Sequence, residues 1–117
     1  MEENWISADT SSHFIRQFVE GNLVLKVNLS RAGASEANLF KKYLEANPIK
    51  NSKRVVLDFS TCGFIDSTFL SIIIKLKKQS DFEIKLVVSS KRQITLFKIT
   101  GFNSLFMIYT TLEEALA

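Results

Sequence analysis

The sequence predicts an α/β domain: a single sheet of about five strands, mixed but mostly parallel after an N-terminal hairpin, with about four helices. Three observations carry this. Strand-length and helix-length apolar segments alternate beyond residue 30. Residues 54–59 form a near-continuous apolar run, which suits a strand covered on both faces. Near the start, two apolar segments flank a short turn, the pattern of a hairpin.

In chain order, residues 1–12 read as a loose arm, polar apart from Trp5 and Ile6 and ending in Asp9-Thr10-Ser11-Ser12. Phe14–Val19 and Leu23–Leu29 then flank Glu20-Gly21-Asn22, where glycine supplies the unusual turn dihedrals. Leu23, Leu25, Val27 and Leu29 alternate with Val24, Lys26 and Asn28, which predicts one buried face. Ser30 to Ser35 reads as a loop. A helix over 35–46 follows, with Ala37, Phe40, Tyr43 and Leu44 as its apolar stripe, and Asn47-Pro48 stops it. The strand 54–59 leads through the loop Ser60-Thr61-Cys62-Gly63-Phe64 to a helix over 68–79. That helix is apolar almost all round at first and basic at its end, where Lys75, Lys77 and Lys78 suit the helix dipole. Glu83–Val88 is another strand. Ser89 and Ser90 can cap a helix that runs to Thr100 and closes at Gly101. Phe106–Tyr109 is a last strand, and Thr111 with Glu114 has capping-box spacing for a short final helix.

The chain of 117 residues suits one domain over 1–117. Ten Phe against two Tyr and one Trp predict a core of rings without polar groups to satisfy. The net charge of +3 raises the question of nucleic acid, but the lysines are scattered, with no basic block interleaved with aromatics. Direct nucleic-acid binding is therefore not expected. Cys62 is the single cysteine, so no intrachain disulfide can form. The start Met1-Glu2-Glu3-Asn4 has no secretory pattern, and the longest apolar run, Ile72 to Ile74, is too short to span a bilayer. The expectation is a cytoplasmic protein without membrane insertion.

Enzyme chemistry finds little material. His13 is the one histidine, and one His with one Cys cannot make a conventional zinc site or nucleophilic dyad. No glycine-rich phosphate loop or nucleophile elbow occurs. Asp58 belongs to a buried strand, and Asp66 reads as a helix cap. No catalytic residue, metal or cofactor is expected.

The informative stretch is the strand-to-helix junction. Backbone N–H groups at a helix start lack partners and favour negative charge. Asp66, Ser67 and Thr68 occupy that start, so a hydroxyl that can carry a phosphate sits where an anion is welcome. The run Val55 to Ile74 resembles the signature of STAS domains, the fold of bacterial anti-sigma factor antagonists. Phe64-Ile65-Asp66-Ser67-Thr68-Phe69-Leu70 matches its aromatic–aliphatic–Asp-Ser-Ser/Thr-Gly-Leu pattern except at Phe69, where the family usually has glycine. The likeness continues through the strand at 84–88, the segment Thr100 to Phe106 and the closing Leu112-Glu113-Glu114-Ala115-Leu116, so that residues 14–117 fit in order and spacing.

The resemblance implies an anti-sigma factor antagonist that binds an anti-sigma factor serine/threonine kinase and is released when the kinase phosphorylates Ser67. A phosphatase would reverse the step. Asp66, Thr68 and Arg31 are expected to neighbour the phosphosite, and Phe69, Leu70, Cys62 and Gly63 to form the partner contact. Arg31, in Ser30-Arg31-Ala32-Gly33, replaces the family's usual acidic residue and is a cation able to pair with a phosphate. The alternative is a constitutive STAS interaction module in a signalling scaffold or transporter-associated complex, with Ser67 acting only as a helix cap and Phe69 belonging to a permanent interface. A nucleotide or small-molecule sensor is a third reading, without a phosphate loop to support it.

Overall fold

Alternation along the second hairpin strand sets the layering. Leu23, Leu25 and Val27 turn to one side of the sheet and Val24 to the other, and all four are buried. Both sides of this strand therefore carry cover, one more than the alternation predicts. The structure, a computed structural model, describes residues 13–117. The expected arm over 1–12 lies outside the described residues.

The strands are β1 (Phe14–Val19), β2 (Asn22–Val27), β3 (Arg31–Ala32), β4 (Arg54–Asp58), β5 (Phe64–Ile65), β6 (Glu83–Val87) and β7 (Met107–Tyr109). The helices are α1 (Ala34–Ala46), α2 (Ser67–Lys78), α3 (Lys91–Thr100) and α4 (Leu112–Leu116), with a 3-10 turn over Phe102–Ser104. The main sheet has five strands in the order β1-β2-β4-β6-β7. Its first pair is antiparallel and the other three are parallel. This is the mixed α/β architecture that the sequence predicts.

The hairpin closes with Val19 opposite Asn22. Glu20 (φ 51°) joins Gly21 (φ 82°) in the left-handed region, so the turn needs positive φ at both central residues. The Asn22 amide donates to the Val19 and Glu20 carbonyls and steadies it. At the far end of α3, Gly101 (φ 78°) supplies the left-handed cap. Thr111 caps α4 by accepting from the Glu114 N–H at 3.2 Å. The reciprocal reach of Glu114 goes one residue further back than expected, to the N–H and hydroxyl of Thr110. Those bonds hold the exposed Glu114 carboxyl below its ordinary range.

The principal core lies between the sheet and α1, α2 and α3. A run of rings crosses it. Tyr43 meets Phe14 at 5.0 Å, Phe14 meets Phe40 at 5.2 Å, Phe40 stacks on Phe69 at 4.9 Å, and Phe69 meets Phe59 edge-on at 5.8 Å. On the opposite face, Val24, Val56 and Val87 pack under Ala115 of α4. Phe18 departs from the expected ring core and stands exposed.

A second, two-stranded sheet has no counterpart in the sequence pattern. The segments at 30–35 and 60–64, read as loops, approach one another, and Arg31-Ala32 pairs in parallel with Phe64-Ile65. Two residues per strand are too few to leave an apolar period.

Candidate functional site

The junction after β4 is fixed by short-range bonds. Asp58 Oδ1 accepts from the Ser60 N–H at 2.9 Å, and the Cys62 N–H closes a turn onto the Phe59 carbonyl. Gly63 N–H then bonds the Ser30 carbonyl and Asp66 N–H the Ala32 carbonyl, bracketing the β3–β5 pair. From the far side, buried Gln93 of α3 accepts the Ile65 N–H at 2.8 Å. The start of α2 is thus held by elements from three separate parts of the chain.

Asp66 is the helix cap that the sequence predicts: its Oδ1 accepts from the Phe69 N–H at 3.0 Å, and its carbonyl takes the Leu70 N–H. The backbone N–H groups of Ser67 and Thr68, one and two residues into the helix, are given no such partner among the described residues. Both residues are exposed. The Ser67 hydroxyl makes no hydrogen bond with any described residue. An accessible hydroxyl therefore sits beside two free donors at the positive end of a 12-residue helix.

The neighbouring helix start converges on the same place. Glu36 of α1 reaches back to accept the Gly33 N–H at 2.9 Å. A β-carbon on Gly33 would stand 3.1 Å from Glu36 Oε1, 3.6 Å from Arg31 Nε and 3.7 Å from Asp66 Oδ2. Gly33 is thus the point around which two carboxylates and one guanidinium gather, and its lack of a side chain leaves them room. Arg31 is exposed, with its guanidinium 5.0 Å over the Phe64 ring, and it forms no ion pair with a described carboxylate. The expected neighbours of Ser67, namely Asp66, Thr68 and Arg31, are brought to one end of the sheet.

The expected contact residues divide. Gly63 is exposed and Leu70 is partly buried. Phe69 is a correction: it is fully buried, its ring stacked on Phe40 and edge-on to Phe59, and offers no contact surface. Where the family usually has glycine, this chain has a core ring. Cys62 is a correction as well. It is buried, its thiol donates to the Phe64 carbonyl at 3.2 Å, and burial pushes its pKa up. The apolar start of this helix does not say which neighbours cover it, and Phe40 and Phe59 come from distant segments. Gln93 and Gly33 were missed. The Gly33–Glu36 spacing of a capping box was visible, whereas nothing local marks a glutamine that bonds 28 residues away.

A separate groove lies at the other end of α2, lined by Leu44 and Ile49 with Ile72, Leu76 and Phe82. None of the residues gathered at the α2 start lines it. Among the described residues no group of His, Cys, Asp and Glu could hold a metal ion, and no helix is long and apolar enough to cross a membrane.

Solved structures share the fold. An anti-sigma factor antagonist from Mycobacterium paratuberculosis superposes with a TM-score of 0.77 at 21% identity, covering 95% of this chain and 96% of that one. A Thermotoga maritima protein gives 0.74 at 24% identity, covering 92% and 96%. An anti-sigma-factor antagonist (STAS) domain protein from Planctomyces limnophilus gives 0.71 at 17% identity, covering 88% and 93%. A comparison with curated proteins found no match. The STAS domain model matches residues 12–115, nearly the whole chain, and the protein belongs to the STAS domain family.

Proposed function

We propose that this protein is an anti-sigma factor antagonist in a partner-switching circuit: it binds an anti-sigma factor serine kinase, and phosphorylation of Ser67 ends the binding. The observation that carries the reading is the exposed Ser67 hydroxyl next to the free N–H groups of Ser67 and Thr68. A phosphate there adds about −1.5 to −2 charges. The helix dipole and the two free donors accommodate that charge, so the fold survives modification. Arg31, gathered with Asp66 around Gly33, supplies a cation for the phosphate to pair with.

What changes is the outer surface. A kinase surface that fits Ser67, Thr68, Gly63 and the edge of Leu70 meets, after phosphorylation, a strongly hydrated dianion that it would have to desolvate. The switch acts at the contact and requires no refolding. Because Phe69 lies inside, the contact is flatter and more polar than the sequence suggests.

The test is incubation with the cognate anti-sigma factor kinase and ATP, followed by intact-mass analysis. One added phosphate is expected on the wild type and none on Ser67→Ala. Modification of Ser67→Ala to the same extent, or no modification of the wild type, overturns the assignment. If Ser67→Asp retains full binding to the partner, the constitutive interaction module is the correct reading.

A further inference from the structure

The main sheet has two edges, and they are guarded unequally. An edge strand presents a row of unpaired N–H and C=O groups, which proteins protect by brevity, proline, lysine or a bulge. β7 is only three residues long. β1 has six residues, pairs with β2 in unbroken register, and contains neither proline nor lysine. Its one charged side chain is tied to the end of α1 rather than free to guard the edge, and it keeps its positive charge there. Arg16 Nε donates to the Tyr43 hydroxyl at 2.8 Å, and its guanidinium also donates to the Asn47 carbonyl. Ile15 (44% exposed) and Phe18 (68% exposed) are left to solvent on this strand.

The direction of the free groups follows from one bond. The His13 carbonyl accepts from the Asn28 N–H at 2.7 Å. Antiparallel ladders alternate, so the main-chain groups of Ile15, Gln17 and Val19 face β2 while those of Phe14, Arg16 and Phe18 face outward. Among the described residues no strand receives them.

We propose that β1 is a dimerisation edge, with two copies of this chain pairing antiparallel through β1 about a two-fold axis at Gln17. A second copy fits because an antiparallel edge rotated about such an axis meets its own donors with its own acceptors. Outward residues must face outward residues, which leaves few registers. An axis at Arg16 sets two arginines directly opposite, an unfavourable like-charge pair. An axis at Phe18 moves Arg16 opposite the turn residue Glu20 and leaves only the last residues of the strand to pair. The axis at Gln17 keeps the pairing within the strand. Arg16 and Phe18 of the two copies then exchange main-chain hydrogen bonds, and Ile15 lies against Val19 of the other copy. Exposed Phe18 gains the stem of the other copy's Arg16 as a neighbour, and Glu20, diagonal to it, faces the positive charge that Arg16 keeps while bonded to Tyr43 and Asn47. None of the residues at the start of α2 takes part.

Sedimentation equilibrium of the full chain from micromolar to millimolar concentration tests this. A reversible monomer–dimer equilibrium is expected, weakened about tenfold or more by Phe18→Lys, a substitution at an exposed position that leaves the circular dichroism unchanged. Gln17→Cys should form an intermolecular disulfide under mild oxidation, since residues facing across a non-hydrogen-bonded site have Cα atoms about 4.5 Å apart. Glu113→Cys, away from the edge, should not. A monomer at all concentrations overturns the proposal. So does a dimer that Phe18→Lys leaves intact and Gln17→Cys fails to lock. Dimerisation that appears only after residues 1–12 are deleted also overturns it, because the chain itself would then occupy the edge.

Discussion

At the start of α2, adjacent residues hold separate tasks. Asp66 caps, Ser67 and Thr68 face solvent, and Phe69 anchors the helix in the core. Phe69→Ala removes a ring from a closed stack and should cost about 3–5 kcal/mol of stability in urea unfolding. Ser67→Ala, which breaks no bond between described residues, should stay within about 0.5 kcal/mol of wild type. Cys62 gives a second residue-level expectation. Its raised pKa comes first from burial, so the folded chain holds the thiol proton more tightly than the unfolded chain does. The resulting stabilisation is complete below the ordinary thiol range and is lost as pH rises through the raised value. Alkylation at mildly alkaline pH should therefore be slow in the native protein and fast in urea, as mass spectrometry would show. The Asp-Ser-Thr order was legible because capping is local chemistry. The burial of Phe69 was not, since it depends on Phe40 and Phe59 closing over it from distant segments.

At the scale of elements, the junction is braced by a pair of two-residue strands and by one glutamine from α3. Removing that acceptor in Gln93→Ala leaves the Ile65 N–H buried without a partner, at a cost of about 1–3 kcal/mol. Amide exchange at Ile65 and Asp66 should accelerate more than exchange at the centre of β4, because the brace is lost while the sheet remains. Helix limits were readable to within a residue where a cap or stop was written in the chain, as with Asn47-Pro48 after α1 and Gly101 after α3. The β3–β5 pair was not readable. Its strands are too short for a period, and their pairing is set by the larger elements that bring residues 31 and 64 together.

For the whole molecule, the parallel sheet places the starts of α1 and α2 at the same end, so that Glu36, Arg31 and Asp66 converge around Gly33. The alternation of strands and helices made this architecture legible, because parallel neighbours require crossover helices on the way. The likeness to anti-sigma factor antagonists at 17–21% identity extends over nearly the whole chain and carries the fold. The proposed function rests on the exposed hydroxyl at the α2 start. The most direct measurement compares the affinity of the cognate anti-sigma factor kinase for the unmodified chain and for a chain carrying phosphoserine at position 67. The account predicts a loss of about 100-fold or more, roughly 3 kcal/mol, with an unchanged fold. Equal affinity for the two forms would contradict it.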